Sequence, residues 1–152
     1  MSGLRVLALD LGSKQVGVAV SDATALLASP VTTIERSTDR RRDRARVAAL
    51  VAEEEAALVL VGLPLNMDGS RGPAAEAAQA EAEALGAVLD VPVVLVDERL
   101  TTVSADRALL ERGVRGPERR RRVDRAAAAV LLQAWLDGAG GTRWRADHPP
   151  GR

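Results

Sequence analysis

The chain has 152 residues, 47% of them hydrophobic and 28% charged, and its 21 basic and 21 acidic side chains cancel at pH 7. That composition is one globular domain with a real core and excludes a disordered chain, and the absence of Cys excludes disulfides and thiolate metal sites. No apolar run reaches the ~20 residues of a membrane span and the N-terminus lacks a signal-peptide pattern, so a cytoplasmic protein with no membrane partner is expected.

In chain order, Leu4–Asp10 is an apolar run closed by a carboxylate and reads as a central strand. Gly12 and Ser13 turn the chain into an antiparallel partner, Gln15–Ser21. A third strand is predicted over Ala25–Ile34, at an edge because Pro30 lacks a ladder donor. Asp39 caps a helix running to about Glu55. Leu58–Val61 is a short buried strand, followed by Gly62 and the polar loop "PLNMDGSRG". Pro73 suits the first position of an Ala-rich helix, expected to end at Gly86. Val91–Val96 is a further buried strand. Thr101 or Thr102 caps a helix ending near Gly113, and a last helix covers about Arg120 to Leu136. Gly138, Gly140, Gly141, Pro149 and Pro150 mark 138–152 as a flexible tail, leaving 1–137 as the domain. The order predicts an α/β fold: a five-stranded mixed sheet, three antiparallel strands then two parallel, flanked by helices.

Two basic clusters interrupt the neutral balance. The first, Arg40 to Arg46, interleaves with Asp39 and Asp43 and reads as a solvated helix face. The second runs from Arg112 to Arg125 with Glu118 as its one acid before Asp124, and reads as a phosphate-binding face. With Trp135 and Trp144 as the only aromatics, no base-stacking platform is expected.

Carboxylates stand in three conspicuous places: Asp10 at the end of the first strand, Asp97 and Glu98 at the end of the last, and Asp124 near the start of the final helix. At about 100° per residue, Val123, Ala126, Ala127, Val130, Leu131 and Ala134 form an apolar stripe with Asp124 at its edge, while Arg121, Arg122 and Arg125 point away. Each role has an ordinary structural competitor: Asp10 can cap its turn, and Asp124 can favour a helix N-terminus. Together they point to a metal site. At ~4 Å and an effective dielectric of ~20, each pair of carboxylates repels by about 4 kcal/mol. A hard cation such as Mg²⁺ reverses that sign, and two such ions can support phosphodiester cleavage. Strand alternation sends Asp97 and Glu98 to opposite faces without choosing between them.

The segments "LALDLGSKQVGVAVSD", "VGLPLNMDGSRGP", "VDERLTT" and "VDRAAAAVLLQ" resemble, in order from Leu4 to about Leu136, the four signature segments of the YqgF/RuvX family. The resemblance implies an RNase H-like fold and a metal-dependent nuclease that processes the 5′ end of pre-16S rRNA, with cleavage of branched DNA at Holliday junctions as the alternative. It also implies that Asp10, Glu98 and Asp124 are the catalytic acids and ligands of Mg²⁺ or Mn²⁺, which selects Glu98 over Asp97. Lys14, Arg71 and Arg99, with Arg119, Arg121 and Arg122 of the basic run, are the candidate contacts to nucleic-acid phosphates. Two positions depart from the family pattern: Gln15 stands where Arg is common, and Arg71 where an acid is common. Thr101 and Thr102 are read as caps, and His148 as an exposed residue with no role. A junction resolvase would be a two-fold homodimer; an rRNA-trimming enzyme need not be. Two other readings compete. "DLGS" also resembles the phosphate loop of actin-like ATPases, which need two such domains, and related domains serve as non-catalytic modules in larger proteins.

Overall fold

The computed structural model describes residues 4–100 and 116–149. Strands β1 (Val6–Leu11), β2 (Gln15–Ser21), β3 (Ala28–Glu35), β4 (Leu58–Leu63) and β5 (Val93–Asp97) form one sheet in the order β3-β2-β1-β4-β5. β1, β2 and β3 pair antiparallel, β4 runs parallel to β1, and β5 parallel to β4. This is the predicted mixed sheet, with Pro30 on the edge strand β3. Its flanking helices are α1 (Arg40–Glu53), α2 (Pro73–Val88), α3 (Gly116–Asp137) and α4 (Ala139–Asp147). The helix expected between Thr101 and Gly113 lies outside the described residues.

The sheet buries both faces, as its unbroken apolar runs require. Leu7, Leu9, Val16, Val18, Val59 and Val61 pack with Val47 and Val51 of α1 and Ala82 and Leu85 of α2. Val6, Ala8, Ala19, Leu58 and Leu60 pack on the opposite face with Ala128, Leu132 and Leu136 of α3. β1 therefore sends odd-numbered side chains toward α1 and α2 and even-numbered ones toward α3. This assignment positions the site.

Several boundaries differ from expectation for local reasons. β3 starts at Ala28 rather than Ala25, because the Asp22 carboxylate accepts from the amides of Leu26 and Leu27 (2.9 and 3.1 Å) and holds them in a loop. α2 continues past Gly86 and closes at Leu89, whose N–H donates to Leu85 O (2.9 Å). β5 starts at Val93 rather than Val91: Pro92 has no N–H to give and only accepts, from Val59 N (3.0 Å).

The tail is the clearest correction. Residues 139–147 form α4 where an unstructured segment was expected. Trp144 Nε1 donates to Leu4 O (2.9 Å), and Arg145 Nη1 donates to Ala25 O (2.7 Å) and Leu136 O (3.1 Å). The glycines that suggested mobility serve packing. A Cβ on Gly141 would overlap the Leu136 carbonyl, so Gly141 lets the chain turn tightly back against α3.

The β3–α1 connection is built around a buried acid. Asp39 caps α1 as predicted, accepting from Arg41 N (3.0 Å) and Arg42 N (3.3 Å). Asp43, one turn on, accepts from the Ser37 hydroxyl (2.7 Å) and amide (3.1 Å) and from Arg40 (3.3 Å). Burial pushes the Asp43 carboxyl up, and the bonds from Ser37 and Arg40 outweigh that and hold it below its ordinary value. A carboxyl lowered in the folded state stabilises above its unfolded pKa, and the gain is lost as pH falls through the folded value. Asp43→Asn is expected to cost roughly 1.5–3 kcal/mol near neutral pH. Thermal melts should show that difference closing below about pH 4.

Candidate active site

Asp10 lies at the carboxyl end of β1, opposite Gly17 of β2. Its even number puts it on the α3 face, and it is 1% exposed. Glu98 begins a short 3₁₀ turn (Glu98–Leu100) immediately after β5 and is 7% exposed. Its carboxylate occupies the space above Gly62: a Cβ there would overlap Glu98 Oε1 and stand 3.2 Å from Leu131 of α3. Glu98 therefore faces the same side as Asp10. Burial pushes its carboxyl above the ordinary carboxylate range, and the charge of Asp97 adds to this. Asp97 is committed elsewhere, in an ion pair with Arg99 (2.9 Å) that holds its carboxyl low.

Asp124 reaches the site through a close approach of helix to sheet. The sequence stripe put it at the edge of the apolar arc, but α3 also buries Ala128, Leu132 and Leu136. Asp124 then falls between Leu131 and Ala128, inside the arc. Gly17 makes this contact possible, because the Asp124 carbonyl fills the place a Cβ would take. The Asp124 carboxylate rests against Gly12, with its oxygens 3.4 and 3.6 Å from the Cβ position there. Gln15 Nε2 donates to Asp124 Oδ2 at 2.7 Å. Gln15 is itself buried at the head of β2, so a neutral amide fixes one oxygen of Asp124 from a rigid strand.

Asp10 and Glu98 line one open cavity of about 440 Å³ at the carboxyl end of the sheet, together with Gly12, Ser13, Arg36 and Gly62. Asp124 stands beside it on Gly12. The donor set is all oxygen and suits a hard divalent cation. Among the described residues, however, no group of three Asp, Glu, His or Cys side chains stands close enough to hold one ion. Two of the three acids share the cavity, and the third is held next to it by Gln15.

The candidate phosphate contacts divide. Lys14 and Arg71 are exposed, on the β1–β2 turn and in the loop before α2. Arg99 is engaged with Asp97 and donates to Met67 O (3.3 Å). Arg119 and Arg122 are exposed. Arg121 does not point away as expected: it pairs with Glu35 of β3 (3.0 Å) and Glu118 (3.3 Å), because the start of α3 lies over the edge strand. Of the first basic cluster, Arg40 and Arg44 are tied to Asp43 and Glu81. Gln15, Gly17, Gly62 and Arg36 were not singled out as site residues by sequence reasoning. For Gln15 the available signal was a polar residue heading a strand that is otherwise apolar and small.

Comparison with known proteins bears on the family and the fold. The RuvX family model, described as Holliday junction resolvase, matches residues 4–138. A Myxococcus xanthus protein named "Putative pre-16S rRNA nuclease" is 49% identical over 134 residues, covering 88% of each chain. A Mycobacterium sp. (strain KMS) protein of the same name is 48% identical over 134 residues, covering 88% of this chain and 79% of the relative. Among solved structures, T. thermophilus RuvC in complex with Holliday junction substrate superposes with a TM-score of 0.55 at 18% identity, covering 90% of this chain and 97% of that one. At that identity the likeness establishes the fold, which is RNase H-like. With the sheet order, the acid-bearing strand ends and a family match over nearly the whole described chain in agreement, the protein belongs to the RuvX family.

Proposed function

We propose that this protein is a divalent-metal-dependent nuclease that hydrolyses phosphodiester bonds in maturing the 5′ end of pre-16S rRNA. The observation that carries the reading is the pair of buried carboxylates, Asp10 and Glu98, on one cavity at the carboxyl end of the sheet, with Asp124 held beside it by Gln15. Buried carboxylates that share a cavity are costly unless positive charge compensates them. Asp10, Glu98 and Asp124 are the residues that would hold Mg²⁺ or Mn²⁺. When bound, such an ion would polarise the phosphate and lower the pKa of water so that hydroxide is available as nucleophile.

The chain's own residues supply the rest. β1 and β4 fix Asp10 and the Gly62 gap that receives Glu98. The Glu98 carboxyl, raised by burial and by the charge of Asp97, would hold its charge more readily beside a cation. The Gln15 amide holds one Asp124 oxygen without neutralising the carboxylate, so the group keeps its charge for a cation. The relatives' name favours the rRNA substrate, while the family's description favours a branched DNA junction. Both are phosphodiesters that exposed Lys14 and Arg71 can attract.

Purified protein incubated with Mg²⁺ or Mn²⁺ should shorten a pre-16S rRNA 5′ fragment and leave a synthetic four-way DNA junction intact. Paired cuts in the junction, by a protein that is dimeric by mass in solution, would select the resolvase reading. Failure to cut either, with tight oligonucleotide binding, would select a non-catalytic binding module; ATP binding by calorimetry would select the actin-like reading.

A further inference from the structure

Arg36 follows β3 directly, and its backbone N–H donates to Lys14 O (2.9 Å), which ties it to the turn that carries Gly12 and Ser13. Its half-buried side chain lines the cavity that contains Asp10 and Glu98. The same side chain borders the cleft between α1 and α2, where the nearby charges are Arg40, Asp43 and Glu81.

Both acids in that cleft are bonded to other groups. Both oxygens of Glu81 are taken by Arg44, at 3.0 Å each. The Asp43 carboxylate is taken by the Ser37 amide and hydroxyl and by Arg40. Three guanidiniums thus face two carboxylates. Arg36 is left over: among the described residues its side chain makes no ion pair of 4 Å or less. Burial lowers its affinity for the proton and the charge of Arg40 adds to that, together outweighing the opposite pull of Glu81 and Asp43. A guanidinium partly removed from water without a carboxylate in direct contact is unfavourable. It keeps five donors in a planar fork suited to two oxygens of one phosphate.

We propose that Arg36 is a phosphate-binding residue inside the nuclease cavity, taking a backbone phosphate of the nucleic-acid strand held there. The role rests on the nuclease reading for its substrate class. It differs from that of Lys14 and Arg71, which are exposed and attract any polyanion. Arg36 is partly desolvated, so its contact with phosphate is stronger and less screened.

The test is Arg36→Met, which keeps the stem's packing and removes the charge. Binding of a labelled single-stranded oligoribonucleotide is measured in EDTA over a range of KCl concentrations, alongside thermal melts. The variant should melt no lower than the original protein, bind about 5- to 10-fold more weakly, and show a salt slope shallower by about 0.7, the loss of one phosphate contact on a single strand. Arg36→Lys should fall between the two. Arg41→Met, removing an exposed charge on α1, should change binding little. An unchanged salt slope in Arg36→Met would overturn the proposal, as would an equal loss in Arg41→Met or a binding loss that tracks a fall in melting temperature. Displacement of the oligomer by millimolar inorganic phosphate, beyond the effect of equal ionic strength, would assign the residue to free phosphate and also overturn it. Because no metal is present and no cleavage is read, a protein that binds in this way but never cleaves would refute the nuclease reading and leave Arg36 a phosphate ligand.

Discussion

Asp10→Asn is expected to abolish cleavage, by at least 1,000-fold, in a protein that folds as well as the original. The side chain is 1% exposed and shares its cavity with Glu98, whose carboxyl is already pushed up by burial. The amide keeps the shape and removes one buried charge, so the metal-free protein should melt at the same temperature or higher, as expected where a functional site trades stability for activity. An amide is a poor ligand for a hard cation. Mg²⁺ should therefore raise the melting temperature of the original protein and leave the variant almost unmoved, since a ligand stabilises only the state that binds it. If Asp10 were instead a cap on the Gly12–Ser13 turn, the variant would lose stability without metal and its activity would fall only as the protein unfolds. Melts with and without Mg²⁺, beside cleavage assays on folded variant, separate the two. Cleavage retained by folded Asp10→Asn would remove Asp10 from the site.

The sheet was legible because its signals are local and redundant. The runs Val6–Leu9 and Leu58–Val61 are apolar through their length, Pro30 demands an edge, and Asp39 and Pro73 mark helix starts with groups the backbone needs. Candidate acids could be named because carboxylates at the ends of buried strands are rare enough to require an explanation. What sequence could not convey was set by contacts between distant segments. Gln15 and Asp124 are 109 positions apart, and nothing in either neighbourhood shows that one holds the other. Arg121 was read as pointing away because its partner Glu35 lies on a strand 86 positions earlier. Arg36 is distinguished only by the way Arg40 and Arg44 consume the acids around it. The tail was misread for a related reason: its glycines permit close packing against α3, and a count of glycines cannot distinguish that from mobility. Glu98 was selected over Asp97 by the resemblance alone; the physical counterpart, the Gly62 gap that receives Glu98, exists only once β4 and β5 are paired.

Two glycine substitutions should part fold from chemistry, and with opposite outcomes. Gly17→Ala places a methyl where the Asp124 carbonyl lies, 2.5 Å from the carbonyl carbon and 3.1 Å from Arg125 N. These are backbone atoms with no rotamer to yield, so α3 must move away from β2. Overpacking typically costs 1–3 kcal/mol, and a contact this close belongs at the upper end. On the order of 3 kcal/mol would lower the melting temperature by roughly 6–12 °C in a chain of this size. Gly62→Ala meets side-chain atoms instead, the far end of Glu98 and, at 3.2 Å, a Leu131 methyl that needs to give only slightly. That carboxylate can swing aside, so stability should change by no more than about 1 kcal/mol. Activity should not survive as well, because a displacement of about 1 Å at a reacting centre can cost 100-fold. The expected pattern is a large melting shift for Gly17→Ala, and a near-normal melt with at least a 100-fold loss of cleavage for Gly62→Ala. Cleavage at the original rate by Gly62→Ala would mean that Glu98 does its work from another position, or none at all.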